Sequence, residues 1–240
     1  MTMAIDDVLW TGSYKEEGFP PWPCPHCGRH ALSIQPGSFA FAGPDWSERF
    51  VCLIKCGYKV CGETCSVAGA LDYDYEQTGP SDQDYELVSF LKPDFVRPAP
   101  AIFAIPRKCP KETKTELEAA FSLFWNDPNA ALNRVRIGIE CWLDAAGIQR
   151  KKRSNKGELY RLSLHERILT FLPAGEQTRE MLLALKWLGN IGSHQRTVTR
   201  GHLLVAFKLL EAVFDVVIER RPQELGRLAR EINRRKGKLK

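Results

Sequence analysis

Eight cysteines stand in this 240-residue chain, and six of them fall between Cys24 and Cys65. The sharpest signal is Cys24-Pro25-His26-Cys27-Gly28. A Cys-x-x-Cys turn sets two thiolates at the right separation for one metal ion, with backbone amides aimed at the sulfurs, and the following Gly28 supplies the positive φ of the tight turn. Zinc asks for four ligands, so a second pair must come from Cys52, Cys56, Cys61 and Cys65, whose spacings are three, four and three intervening residues. Cys56 with Cys61 is the preferred pair. Cys61-Gly62 repeats the Cys-Gly pattern, whereas Cys52 alternates with Val51 and Leu53 on a strand, where a thiol serves as a small core hydrophobe. Cys52 and Cys65 stay open as alternatives, and His26 or His30 could substitute. Four thiolates leave no position for water, so the expected cofactor is a structural zinc that does no chemistry.

A second set of chemistry-bearing residues lies in the C-terminal half. Asn133, Arg136, Glu140 and Asp144 recur at three- and four-residue spacing and form one polar stripe on a helix, where Arg136 and Glu140 can pair. Further on, Gly189-Asn190-Ile191-Gly192-Ser193-His194 places Asn190 and His194 four apart, on a shared face if the segment is helical. Two basic clusters could neutralise phosphates: Arg150-Lys151-Lys152-Arg153, and a C-terminal run containing Arg234, Arg235 and Lys236. Between Arg220 and Lys240 nine Lys or Arg face two Glu, which more than accounts for the net charge of +5.

The elements that must carry these residues differ between the two halves. From Cys24 to about Leu71, short β-type runs such as Arg49-Phe50-Val51-Cys52-Leu53-Ile54 alternate with Gly-rich turns. So short a stretch buries too little surface to fold unaided, which is why a metal staple belongs there. Between Tyr73 and Pro110 six prolines exclude a helix and make a poor central strand, so this stretch reads as a linker that wraps over a neighbour. After Pro110 the period becomes 3.6. Thr113-Lys114-Thr115-Glu116 reads as a capping box, Asp127-Pro128 as a helix start and Gly147 as its end. Further helices are expected over 158–172, 176–188 and 199–220, with a basic helix after Pro222.

Composition excludes several classes. At 44% apolar and 26% charged the chain can bury a core. No run approaches the roughly 20 apolar residues of a membrane span, and Asp6 and Asp7 stand where a signal peptide would be basic. Cysteines without such a signal favour metal over disulfides, so a cytoplasmic protein with no membrane contact is expected. Dinucleotide, Walker-type and His-Glu-x-x-His motifs are all missing from the sequence.

Arg136-x-x-x-Glu140 on the first long helix, Gly189-Asn190-x-x-x-His194 after a later one, and Cys-Pro-His-Cys-Gly ahead of both resemble the bacterial family known as domain of unknown function 4145 (DUF4145). The resemblance covers about half of the chain well. It implies a helical bundle related to the HEPN superfamily, whose members are often RNA-binding or RNA-cleaving and occur in toxins and phage-defence systems. Active members carry Arg-Asn-x-x-x-His or a similar spacing, contributed by two protomers to one cleft, the Arg stabilising phosphate charge and the His assisting attack by the RNA 2′-hydroxyl. Here Asn190 and His194 match while Gly189 occupies the Arg position. Arg136 from a facing helix, or Arg196 with His202, would have to replace it.

The sequence therefore predicts an α+β protein: a zinc-ribbon-like β-rich module over 1–71, a Pro-rich linker over 72–110, a HEPN-like helical bundle over 111–221 and a basic C-terminal helix or tail over 222–240. The expected function is that of a non-catalytic, homodimeric interaction protein binding RNA, DNA or a protein partner, in a phage-defence setting. The alternative is a metal-independent endoribonuclease built on Asn190, His194, Arg136 and Glu140.

Overall fold

The computed structural model describes residues 5–10, 12–15, 20–44, 48–80, 84–171, 175–191 and 198–234. The N-terminal half is an antiparallel sheet of five strands: β1 (Leu32–Ile34), β2 (Ala40–Ala42), β3 (Arg49–Cys56), β4 (Thr64–Gln77) and β5 (Tyr85–Arg97). Their order is β1-β3-β4-β5, with β2 beside the first residues of β3. β3 shows why it forms: Phe50, Cys52, Ile54 and Cys56 are buried while Arg49, Val51 and Lys55 are exposed, the period of two that a one-sided strand requires.

β5 pairs with β4 from one end to the other, from Arg97 with Ser66 to Tyr85 with Gln77. This corrects the reading of 72–110 as a linker: the end of β4 and all of β5 lie inside it. The prolines do not forbid the strand, because β5 is an edge strand, and Pro93 falls where the register shifts opposite Gly69, a place where a missing N–H breaks no ladder bond. The expected wrapping does occur beyond it, where Ile102 and Phe103 are buried and Phe103 packs on Phe121, Phe207 and Phe214.

The helices are α1 (Lys111–Leu123), α2 (Pro128–Ala145), α3 (Leu164–Thr170), α4 (Glu176–Ile191), α5 (Arg200–Val217) and α6 (Arg221–Arg234), with a small ribbon of β6 (Lys151–Arg153) and β7 (Leu159–Arg161) between α2 and α3. α2 packs on α1, α4 and α5, and α3 lies against α2 and α4. Asp127 caps α2, accepting from the Ala130 N–H, with Pro128 at the first position as the sequence indicates. Two readings are corrected. The Thr113 capping box does not form: α1 starts directly after Pro110, and Thr113 is fully buried in the helix interior. The helix expected over 158–172 is instead β7 followed by α3. Gly157, at φ 82°, turns the ribbon, and the Ser163–Glu166 capping box restarts the helix only at Leu164.

Sheet and helices share one apolar core. Trp22, with no exposed surface, stacks on Trp10 and meets Trp125 of the α1–α2 loop at 4.8 Å. Arg200 at the start of α5 fastens the same junction by donating to the carbonyls of Gly12, Pro93 and Trp125. No helix among the described residues is long and apolar enough to cross a membrane.

Candidate metal centre

Two turns bring the sulfurs together. In the first, the Gly28 N–H donates to the Cys24 carbonyl and the Cys24 N–H to the His30 carbonyl, closing the knuckle with Gly28 at φ 61°. In the second, Cys56 ends β3, the N–H groups of Cys61 and Gly62 both donate to the Tyr58 carbonyl, and Gly62 adopts φ 62°. The repeated Cys-Gly is thus a repeated backbone shape.

The four sulfurs of Cys24, Cys27, Cys56 and Cys61 lie within 4.8 Å of one another and form the one group of three or more potential ligands among the described residues. Cys24 to Cys61 and Cys27 to Cys56 each measure 3.7 Å. A tetrahedral ion with sulfur bonds near 2.3 Å has sulfur–sulfur edges of about 3.8 Å, so these residues fit a four-thiolate metal ion. Cys52 and Cys65 are core thiols, both buried, and burial pushes Cys65 up to about 12.

The environment divides the four. Backbone N–H groups of Arg29 and then His30 draw Cys27 down to about 6, and those of Glu63, then the His26 ring, lower Cys61. Burial pushes Cys24 up to about 12 and also raises Cys56. The Tyr58 N–H donates to the Cys56 sulfur at 3.4 Å. His26 is not among the four clustered ligands; its Nδ1 stands 3.3 Å from the Cys61 sulfur, where a ring N–H stabilises a thiolate. His30 stacks on Tyr58 at 4.8 Å.

The polar stripe of α2 is built in pieces. Arg136 Nε lies 3.5 Å from the Glu140 carboxylate, an ion pair without a hydrogen bond. Asp144 is shared by Arg150 and Arg167, and Asn133 is exposed. α4 runs through Gly189 and Asn190, and a Cβ at Gly189 would come within 3.2 Å of the Arg136 Cβ, so the absence of a side chain there is what lets α4 lie against Arg136. His194 and Arg196 lie outside the described residues. His202 caps α5, its Nδ1 accepting from the Thr199 N–H while its own N–H donates to Thr199 Oγ1.

Of the basic residues, Lys151, Lys152 and Arg153 form β6 and are all exposed. Arg150 is held by Asp144, and Arg234 pairs with Glu231 at the end of α6. Arg235 and Lys236 lie outside the described residues. Sequence reading missed Arg161 and Arg167, which line a cleft with Arg136 and Arg150. The available signal was the Asn-Lys-Gly turn at 155–157, which would have separated a ribbon from a helix.

Neither the curated proteins nor the solved structures gave a match. Residues 118–235, from within α1 onward, match the family model described as "Domain of unknown function (DUF4145)", which supports a domain of that kind across the helical half of the chain.

Proposed function

We propose that this chain is a non-catalytic binding protein in which a structural zinc staples the sheet module and a HEPN-like helical domain holds nucleic acid. The observation that carries the binding reading is the β6–β7 ribbon. All six of its residues are exposed, four of them are Lys or Arg, and none belongs to the core. An exposed ribbon of that charge contributes little to folding and suits a polyanion. The non-catalytic reading is supported by the four-thiolate set, which would close the coordination sphere and leave the metal nothing to activate.

Arg136 against Gly189 favours a second reading, an endoribonuclease in which Arg136 replaces the Arg missing before Asn190. Incubation of mixed RNAs with wild type, His194→Ala and Arg136→Ala separates the two. We expect no cleavage by any of them; cleavage by wild type that disappears in either variant would establish the enzyme. Metal analysis is expected to return one zinc per chain, and the solution mass a homodimer.

A further inference from the structure

Between α2, α3 and the ribbon lies a cleft of about 410 Å³, lined by Arg136, Arg150, Arg161 and Arg167 with Glu140 and Glu166. From Arg150 to Arg167 the chain carries seven Lys or Arg against two Glu. The nearby carboxylates are already engaged. Asp144 serves both Arg150 and Arg167, and Glu166 accepts from the Ser163 N–H and hydroxyl at the start of α3. Glu140 answers Arg136 only at 3.5 Å, leaving Arg136 Nε and Arg167 Nε without a hydrogen-bond partner. Arg161, Lys151 and Lys152 have no ion pair among the described residues.

The ribbon register adds an independent sign. Lys151 stands directly opposite Arg161, and Lys152 opposite Tyr160. Like charges across an antiparallel pair destabilise it, and neither Lys151 nor Arg161 has an ion pair among the described residues. On α4 the crowding of cations continues beside Arg136: Lys186 is buried, lies over the Trp187 ring, and is held below its ordinary value by burial and by the charge of Arg136.

We propose that this cleft and the Lys151–Arg161 edge of the ribbon grip the phosphodiester backbone of a single-stranded nucleic acid. The inference rests on the nucleic-acid reading above and names its site and substrate. Unpaired cations set side by side on an exposed ribbon gain from a phosphate what the fold denies them. The recessed position of Arg136 and Arg167 selects the single strand, since a flexible backbone bends into a cleft while the phosphates of a duplex stay on its rigid outer wall.

The test is fluorescence anisotropy with the full chain, labelled 12-nucleotide oligo(U) and oligo(dT), and a 12-base-pair duplex, at about 50 and 200 mM salt. Arg161→Ala and Lys151→Ala are exposed changes, and unchanged melting temperatures will show that they fold. Each is expected to weaken oligo(U) or oligo(dT) binding about tenfold and to lower the log–log salt slope by about 0.7, the share of one phosphate on a single strand. Tighter binding of the duplex, or single-strand affinity untouched by both variants, overturns the proposal. If affinity falls instead with Arg234→Ala/Arg235→Ala/Lys236→Ala, nucleic-acid binding stands and this site is wrong. Failure of every oligonucleotide to bind, or equal displacement by poly-glutamate, removes both the site and the reading beneath it.

Discussion

Arg167 on α3 places Nη2 2.6 Å from Oδ1 of Asp144 on α2, and the same carboxylate accepts from Nε of Arg150 at 3.0 Å. Arg167 is buried and also donates to the Ile148 carbonyl, so α2, the loop after it and α3 meet at one guanidinium. Removing the carboxylate leaves that cation in the interior. Asp144→Ala is expected to destabilise the protein by about 3 kcal/mol, read as a melting temperature lower by roughly 10 °C. A change of under 2 °C would show that the carbonyls alone hold Arg167.

The same pair has a pH signature. Hydrogen bonding from Arg150, reinforced by Arg167, holds the Asp144 carboxyl below its ordinary value of 3.8. A depressed folded pKa means the stabilisation is complete above the unfolded value and drains away as pH falls through the folded one. Between pH 5 and pH 3 wild type should therefore lose more stability than Asp144→Asn. Parallel denaturant curves for the two across that interval would contradict the assignment.

Metal content should separate the six clustered cysteines. Cys27→Ser or Cys56→Ser is expected to lose the bound ion, whereas Cys52→Ser and Cys65→Ser keep it and lower stability by about 1–2 kcal/mol through a buried hydroxyl. Elemental analysis with thermal melts reads both effects. Retention of a full equivalent by Cys56→Ser would transfer that ligand role elsewhere.

Gly189 predicts a steric cost. A Cβ there meets the Arg136 Cβ at 3.2 Å, an atom fixed to its helix and unable to swing aside. Gly189→Val should cost about 2 kcal/mol through overpacking, and Gly189→Ala should fail to deliver the roughly 1 kcal/mol that alanine usually gains in a helix. Denaturant midpoints at or above wild type for both would show that α4 yields.

The site proved more legible than the fold around it. Cys24, Cys27, Cys56 and Cys61 could be chosen from the sequence because chemistry and backbone shape speak together there: a knuckle, a repeated Gly at positive φ, and a strand alternation that assigns Cys52 to the core. β5 was hidden because proline content argues against strands in general, while an edge position with a bulge at Pro93 removes the objection, and neither is local information. The β6–β7 ribbon was hidden for a related reason. Its three-residue strands are shorter than any periodicity can register, and the helical pattern of α3 extended backwards over them. Arg136 was singled out for its spacing to Glu140, yet its approach to Gly189 depends on how α4 crosses α2, which no one-dimensional pattern contains.

Trp22 sits two residues before Cys24 and clusters with Trp10 and Trp125, which also meet each other at 6.0 Å. The cysteine cluster is therefore two residues away from an aromatic group that also holds the α1–α2 loop. Opening of the knuckle, by metal removal or oxidation, is expected to change the surroundings of these rings, with tryptophan fluorescence as the measurement that reads it.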